Sequence, residues 1–356
     1  MSSPPENESR PEAMRGDLSR LLDRNVVRVE RIGGGRNSQV YKVADDRADV
    51  FALKIYFHHP SDPRDRLGTE YDSFSYLWAN GFREVPRPVA KDPSRSWAVY
   101  AFVDGERIPP GQIDAAGLSL AVDFLGRLRE LSRLPGSRPL GLASEACFAP
   151  GLIVQNVRQR LQRLCATASE TASQRDLHRF LTDDFAPLLT LIARWSEARL
   201  LTAGASFTQE LDWRQRTLSP SDFGFHNALR RRDGGIIFLD FEYFGWDDPA
   251  KLISDFLLHP AMNLSLALGK TFTSAILRRF SGGPALMGRV AAVYPLIGLK
   301  WVMIMLNEFL SAPFQRRQFA AVEAPDLSAL QMLQLAKARH LLQRLRQEYQ
   351  QFPYCE

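Results

Sequence analysis

Cysteine is scarce in this chain, with three residues in 356 (Cys147, Cys165 and Cys355). They are too few and too scattered for a disulfide framework or a thiolate zinc site, and no Cys/His cluster falls at metal-ligand spacing, so a reducing, cytoplasmic setting is expected. An excess of one charge is also lacking: 45 Lys and Arg face 40 Asp and Glu, a net charge of +5. Arginine runs such as Arg230-Arg231-Arg232 are short and free of interleaved aromatics, so they read as solvated turns and no nucleic-acid partner is expected. Long hydrophobic runs are missing too. The longest, Val290 to Leu306, is broken by Pro295 and Lys300; it reads as a buried helix, and no membrane partner is expected. The first residues hold no apolar segment of the kind a secretory signal needs. With Pro4, Pro5 and Pro11 among charges, residues 1–16 read as a disordered tail. What remains is ordinary globular material, 45% hydrophobic and 24% charged, on a length that suggests two lobes.

The pattern changes character along the chain. Val26 to Val29, Gln39 to Val43 and Val50 to Tyr56 are β runs, joined by Gly33-Gly34-Gly35 and by an Asp-rich turn at Asp45-Asp46, so an antiparallel meander is predicted. Helical spacing follows from Arg64 to Asn80 and stops at Gly81. Two more β runs, Arg87 to Ala90 and Trp97 to Val103, complete a small five-stranded sheet with one helix, assigned to residues 17–104. From about Ala115 the spacing is helical almost to the end, through Leu118–Leu134, Ile153–Leu164, Arg175–Leu191 and Leu191–Leu201 among others. One β-like interruption breaks it: Ala228–Arg231, a turn at Asp233-Gly234-Gly235, then Ile236–Phe241, a hairpin signature. Residues 105–356 are therefore assigned to a mostly helical lobe carrying a loop at 219–227 and the hairpin at 228–242.

Four local signals carry chemistry. Gly33-Gly34-Gly35-Arg36-Asn37-Ser38 lies between two strands, where glycines let backbone N–H groups close on phosphate oxygens. Lys54 sits in the apolar strand Phe51-Ala52-Leu53-Lys54-Ile55 and needs a partner, since an unpaired buried charge is costly; Glu70 on the next helix is the candidate. Asp222 and Asn227, in Ser221-Asp222-Phe223-Gly224-Phe225-His226-Asn227, can converge from one loop, the carboxylate to take a hydroxyl proton and the amide oxygen to hold a metal. Asp240 follows four apolar residues, at the point where a strand leaves the core.

In this order, Gly33–Ser38, Lys54, Glu70, Asp222 with Asn227, and Asp240 resemble the signature of the protein-kinase-like fold, in the branch of aminoglycoside phosphotransferases and choline kinases. The resemblance covers about Val26 to Phe256. It implies an α+β, bilobal architecture and transfer of the γ-phosphoryl group of ATP, with Mg²⁺, to a hydroxyl of a small molecule. Gly33, Gly34, Gly35 and Ser38 would cradle phosphates. Lys54, oriented by Glu70, would pair with the α- and β-phosphates, and the backbone at Ala101 and Val103 would meet the adenine edge. Asn227 and Asp240 would hold Mg²⁺, and Asp222 would accept the proton of the attacking hydroxyl.

Two positions depart from that pattern. Pro220 stands where the small-molecule branch usually has His, so altered support of the loop is expected; His226, beside Asn227, could substitute for it in part, and its default reading is an ordinary loop histidine. Glu242 stands where protein kinases have glycine; it could bind a second metal or the substrate, and its default role is to bond backbone at the hairpin's exit. A cage for a quaternary ammonium would draw on Trp213, Tyr243, Trp246, Trp301 and Phe309, although aromatics in helical lobes are more often core. The alternative function is a catalytically impaired pseudokinase acting as a nucleotide-binding or scaffolding module. A protein kinase fits less well, because no Ala-Pro-Glu element follows Asp240.

Overall fold

The computed structural model describes residues 6–34, 37–58, 62, 64–310 and 326–355, with side chains from residue 12 onward. Gly35, expected to line the phosphates, lies outside the described residues. The chain divides into two compact units: residues up to Arg107 together with Ala228–Tyr243, and the segments Ile108–Asn227, Phe244–Leu310 and the C-terminal stretch from Asp326.

The first unit is built on a five-stranded antiparallel sheet of β1 (Val26–Gly34), β2 (Ser38–Asp45), β3 (Val50–Tyr56), β4 (Pro88–Asp92) and β5 (Trp97–Ala101), in the order β1-β2-β3-β5-β4. Alternation decides which face is buried: Tyr41, Val43, Phe51, Leu53 and Val99 turn into one cluster, as the period-2 geometry of strands requires. The turn from β2 to β3 is fixed by Asp45, whose Oδ1 accepts the N–H groups of Arg47 and Asp49; its Oδ2 meets Arg24 at 2.8 Å. Helix α1 (Glu6–Leu22) covers the same cluster, burying Met14 and Leu18 with Leu21 and Leu22 partly buried. For residues 6–16 this corrects the reading as a disordered tail, residues 1–5 lying outside the described residues: apolar spacing at three and four overrides the proline and charges once a sheet face is available to bury it. Helix α2 (Arg66–Ala79) starts at Asp65, which caps the Gly68 N–H at 2.8 Å, and gives way at Gly81, where φ is +83°.

The hairpin joins this unit and not the helical one, a second correction. Its strands β8 (Ala228–Arg230) and β9 (Ile236–Phe238) extend the short β6 (Glu106–Arg107) into a three-stranded sheet. Phe238 donates its N–H to Glu84 O at 2.7 Å, and Phe241 packs on Phe74 of α2. Backbone pairing plus one buried aromatic outweigh proximity in sequence to the 219–227 loop.

The second unit is mostly helical: α3 (Ala115–Leu131), α4 (Pro150–Cys165), α5 (Ala172–Arg179), α6 (Ala186–Thr202), α7 (Pro249–Leu258), α8 (Leu266–Phe280), α9 (Gly283–Met305) and a final helix, Leu327–Glu348. The predicted Arg175–Leu191 helix is broken instead by a π-type segment at Phe180–Phe185, which offsets the phase between α5 and α6. Two short strands, β7 (Thr217–Ser219) and β10 (Gly245–Asp247), pair antiparallel. Helix α9 is the axis, with α4, α6, α7 and the final helix packed on it. It is long and apolar enough to cross a membrane by composition, yet 78% of its most apolar window is buried within the protein, and Pro295 is accommodated without ending it.

Charges inside this helical unit are paired. Lys251 of α7, 1% exposed, bonds Asp247 at 2.6 Å and Asp255 at 3.0 Å. Asp248, the cap of α7, meets Arg289 at 2.6 Å. These acids are therefore structural, since a buried carboxylate is tolerated only when paired.

Candidate active site

In the first unit the sequence signals converge on Lys54. Its strand β3 is flanked by β2 and β5, so the side chain leaves a central strand and is buried. The ammonium lies 2.6 Å from Glu70 Oε2 on α2 and 2.5 Å from Asp240 Oδ1 after the hairpin. Asp240 adopts φ +66°, a left-handed backbone that non-glycine residues seldom hold and that turns its carboxylate out of the strand direction. Glu70, Asp240 and Glu242 all offer a carboxylate oxygen within 4.8 Å of one another. One ammonium thus faces three acids. Burial, with Asp240 and Glu242 nearby, pushes Glu70 up to about 8 despite Lys54. Burial and Asp240 raise Glu242 too. Burial disfavours the Lys54 ammonium, but Asp240 and Glu70 outweigh it and hold the lysine well above its ordinary value.

Glu242 does not bond backbone, contrary to its default reading. Oε1 accepts from Asn37 Nδ2, which also reaches the Tyr243 hydroxyl at 2.7 Å, and Arg66 stands 3.9 Å away. Oε2 is buried with no hydrogen-bond partner, an orphaned acceptor pointing to a missing cation or donor. Asn37, passed over inside the glycine-rich segment, therefore ties that segment to the residues after the hairpin. Gly33 and Gly34 sit in the β1–β2 ladder opposite Val40 and Gln39, and Ser38 opens β2, buried, opposite Tyr56. The Ala101 N–H is committed to Arg87 O at 2.8 Å, whereas Val103 lies past the end of β5. A cavity of about 600 Å³ opens beside Ala101, Phe102 and Val103; its walls include Trp78 and Ile237 but neither Lys54 nor Asp240, so it is distinct from the ion cluster.

In the second unit the loop after β7 carries Asp222 and Asn227. The Asp222 N–H bonds Pro220 O at 2.9 Å across Ser221, whose φ is +69°; this is the left-handed γ-turn, a strained and uncommon arrangement. Asn227 donates Nδ2 to Asp222 O at 3.1 Å and, at 3.4 Å, to Asp222 Oδ2, which leaves its amide oxygen as the atom able to meet a cation. Asp222 Oδ1 lies 3.2 Å from Nε2 of both His226 and His259. Burial alone would raise Asp222, but the two imidazole donors prevail and hold it well below the usual carboxylate range. His226 is more than an ordinary loop residue, and His259, just past α7, had no signal in the sequence.

Several of the aromatics suggested as a cage are committed to structural contacts. Trp213 packs edge-on to Trp246 and under Arg138, Trp246 donates to Ser137 O, and Trp301 donates to Asp255. Tyr243 belongs to the first unit, with Asn37.

Residues 28–290, well over half of the chain, match the sequence model of the phosphotransferase enzyme family. The chain belongs to that family and is a small-molecule kinase. In fold it is similar to spectinomycin phosphotransferase bound to ADP and spectinomycin (TM-score 0.63, 11% identity, 95% of this chain and 99% of the other). A choline kinase from Cryptosporidium parvum superposes at TM-score 0.55 with 14% identity, over 95% of this chain and 96% of the other. The aminoglycoside phosphotransferase APH(2″)-Ib, ADP-bound, does so at 0.58 with 15% identity, over 96% and 99%. No curated protein matches the sequence.

Proposed function

We propose that this protein transfers the γ-phosphoryl group of ATP, with Mg²⁺, to a hydroxyl of a small molecule of aminoglycoside, sugar or amino-alcohol type. The observation that carries this reading is the Lys54 ammonium set between Glu70 and Asp240 at 2.6 and 2.5 Å. A lysine so held is a fixed point charge for phosphate oxygens, and phosphoryl transfer asks chiefly for positioning and charge neutralisation. The ADP-bound structures of two proteins similar in fold support the choice of nucleotide.

The residues fit a magnesium ion: the orphaned Glu242 Oε2 and the neighbouring Asp240 carboxylate are hard oxygen donors in an acid-rich pocket. Asp240 and Glu242 would hold it, and when bound it would neutralise the triphosphate. In the reaction the acceptor oxygen attacks the γ-phosphorus, the bond to the β–γ bridging oxygen breaks with its electron pair leaving on ADP, and the acceptor's proton passes to Asp222. Val103 is the better placed of the two expected adenine contacts, because the Ala101 N–H is spent within the sheet.

The test is magnesium-dependent ATP turnover against a panel of hydroxylated amines and sugars, with the product identified by phosphorus NMR. Asp222→Asn is expected to lower kcat by roughly 10²–10⁴ while an ATP analogue still binds. Full activity of that variant removes Asp222 from its role. Nucleotide binding without transfer to any acceptor favours the scaffolding module instead.

A further inference from the structure

Asp222 is unusually well supplied with donors on one oxygen. His226 and His259 both place Nε2 3.2 Å from Oδ1, and their rings stack with centroids 3.7 Å apart and planes 6° from parallel. Their tautomers follow from the surroundings. His259 Nδ1 accepts the N–H of Ala261 at 3.2 Å, so it carries no proton and Nε2 must be the N–H donor. His226 Nδ1 is buried with no partner; a proton there would be an unpaired buried donor, so His226 is likewise the Nε2–H form. With the Nε2 positions already protonated and facing Asp222, neither imidazole is set to take a proton from an acceptor.

A metal held by the same three residues is disfavoured by the stacking. Their ligand atoms lie within 4.8 Å of one another, but an imidazole lone pair lies in the ring plane, and two nearly parallel stacked planes share no point near both nitrogens. N–H···O bonds tolerate that offset. His259 is itself fixed by the helices around it. Its backbone closes α7 by bonding Asp255 O, and its ring meets the edge of Trp301, whose indole N–H bonds Asp255 Oδ1 at 3.0 Å. Asp255 in turn is held by Lys251.

We infer that His259 is a positioning residue: a fixed Nε2–H donor which, with His226, saturates Asp222 Oδ1 and leaves Oδ2 as the atom that receives the acceptor's proton. Oδ2 has only the 3.4 Å contact with Asn227, and the Asp222 side chain is one-third exposed. The clamp supplies from α7 the support that the loop lacks with Pro220 before it. The strained turn at Ser221 swings Asp222 toward the imidazoles, and their two bonds hold it there.

This rests on the proposed role of Asp222, and two variants separate the questions. His259→Phe keeps a ring against His226 and Trp301 but removes the donor; His259→Gln restores an N–H near the Nε2 position. With an acceptor identified, Phe is expected to lower kcat by about ten- to a hundredfold at unchanged KM for ATP, far out of proportion to the small Tm loss expected from freeing the Ala261 N–H, with Gln recovering most of the activity. Activity that tracks Tm, or Gln no better than Phe, overturns the inference. A crystal structure of His259→Phe decides it independently of turnover: the Asp222 carboxylate is expected to turn from the orientation described above, and an unmoved carboxylate refutes the clamp. If the wild-type protein transfers phosphate to nothing, the functional reading fails while that crystallographic outcome still judges the clamp.

Discussion

The two units handle buried acids in opposite ways. Around Lys54 three carboxylates crowd one ammonium, Arg66 reaches only Glu242 and at 3.9 Å, and the unsatisfied remainder sits on Glu242 Oε2. Around Asp222 one carboxylate oxygen receives two imidazole donors. An excess of acceptors is a standing demand for positive charge, whereas an excess of donors fixes a carboxylate's orientation and keeps it ionised. The first arrangement suits a group that must bind a cation with its ligand, the second a group that must stay in place to take a proton.

Removing Lys54 should break the contrast most severely. Lys54→Met leaves buried Glu70 without its cation, part-exposed Asp240 without its ion pair and Glu242 with only Arg66 at 3.9 Å, at an expected cost of about 3–5 kcal/mol in stability, and adding Glu70→Gln should return a large part of it in urea unfolding. If the single variant is as stable as the wild type, the cluster is not under-neutralised. Asp222→Asn should do the reverse, costing catalysis heavily but stability only about 1 kcal/mol or less, since an amide still accepts one N–H through its oxygen; equilibrium unfolding beside kcat checks the split.

A pH scan sharpens the picture within the helical unit. Burial raises Glu145, but Lys300 at 3.3 Å and Arg160 outweigh it and bring it down to about 2. A depressed carboxyl stabilises the fold above its unfolded value near 4.5 and loses that contribution as pH falls toward 2. Acid unfolding of Glu145→Gln should therefore be flatter than wild type across that window; parallel curves would show that the pair contributes nothing. The smallest effect is expected of Ser221→Gly. Glycine holds a positive φ without a Cβ clash but adds unfolded-state freedom, so the two terms nearly cancel; a fall in Tm of more than a few degrees would mean the turn is less strained than its φ of +69° implies, and a comparable rise that it is more strained.

Much of the first unit was legible because its signals are local or ordered. A lysine inside an apolar strand demands a partner, and Glu70 is on the next helix. Strand alternation and the Asp45 turn give the sheet. The hairpin could be seen as a hairpin, but its allegiance to the first unit depends on pairing with Glu106–Arg107 and on Phe241 meeting Phe74, contacts between segments far apart in sequence. His259 was invisible for the same reason, and the strain at Ser221 because serine gives no hint of a left-handed backbone. In α1 the composition pointed to disorder and the spacing of Met14, Leu18, Leu21 and Leu22 to a helix; the available sheet face decided for the spacing.

The membership of Ala228–Tyr243 in the first unit has a consequence for biosynthesis. As the chain leaves the ribosome, its first 107 residues emerge with Lys54 and Glu70 but without Asp240, Glu242, Phe241 or the strands that extend β6. That unit stays incomplete until more than a hundred further residues have been made, so a nascent chain halted at Arg107 should be an aggregation-prone intermediate and not an autonomous domain.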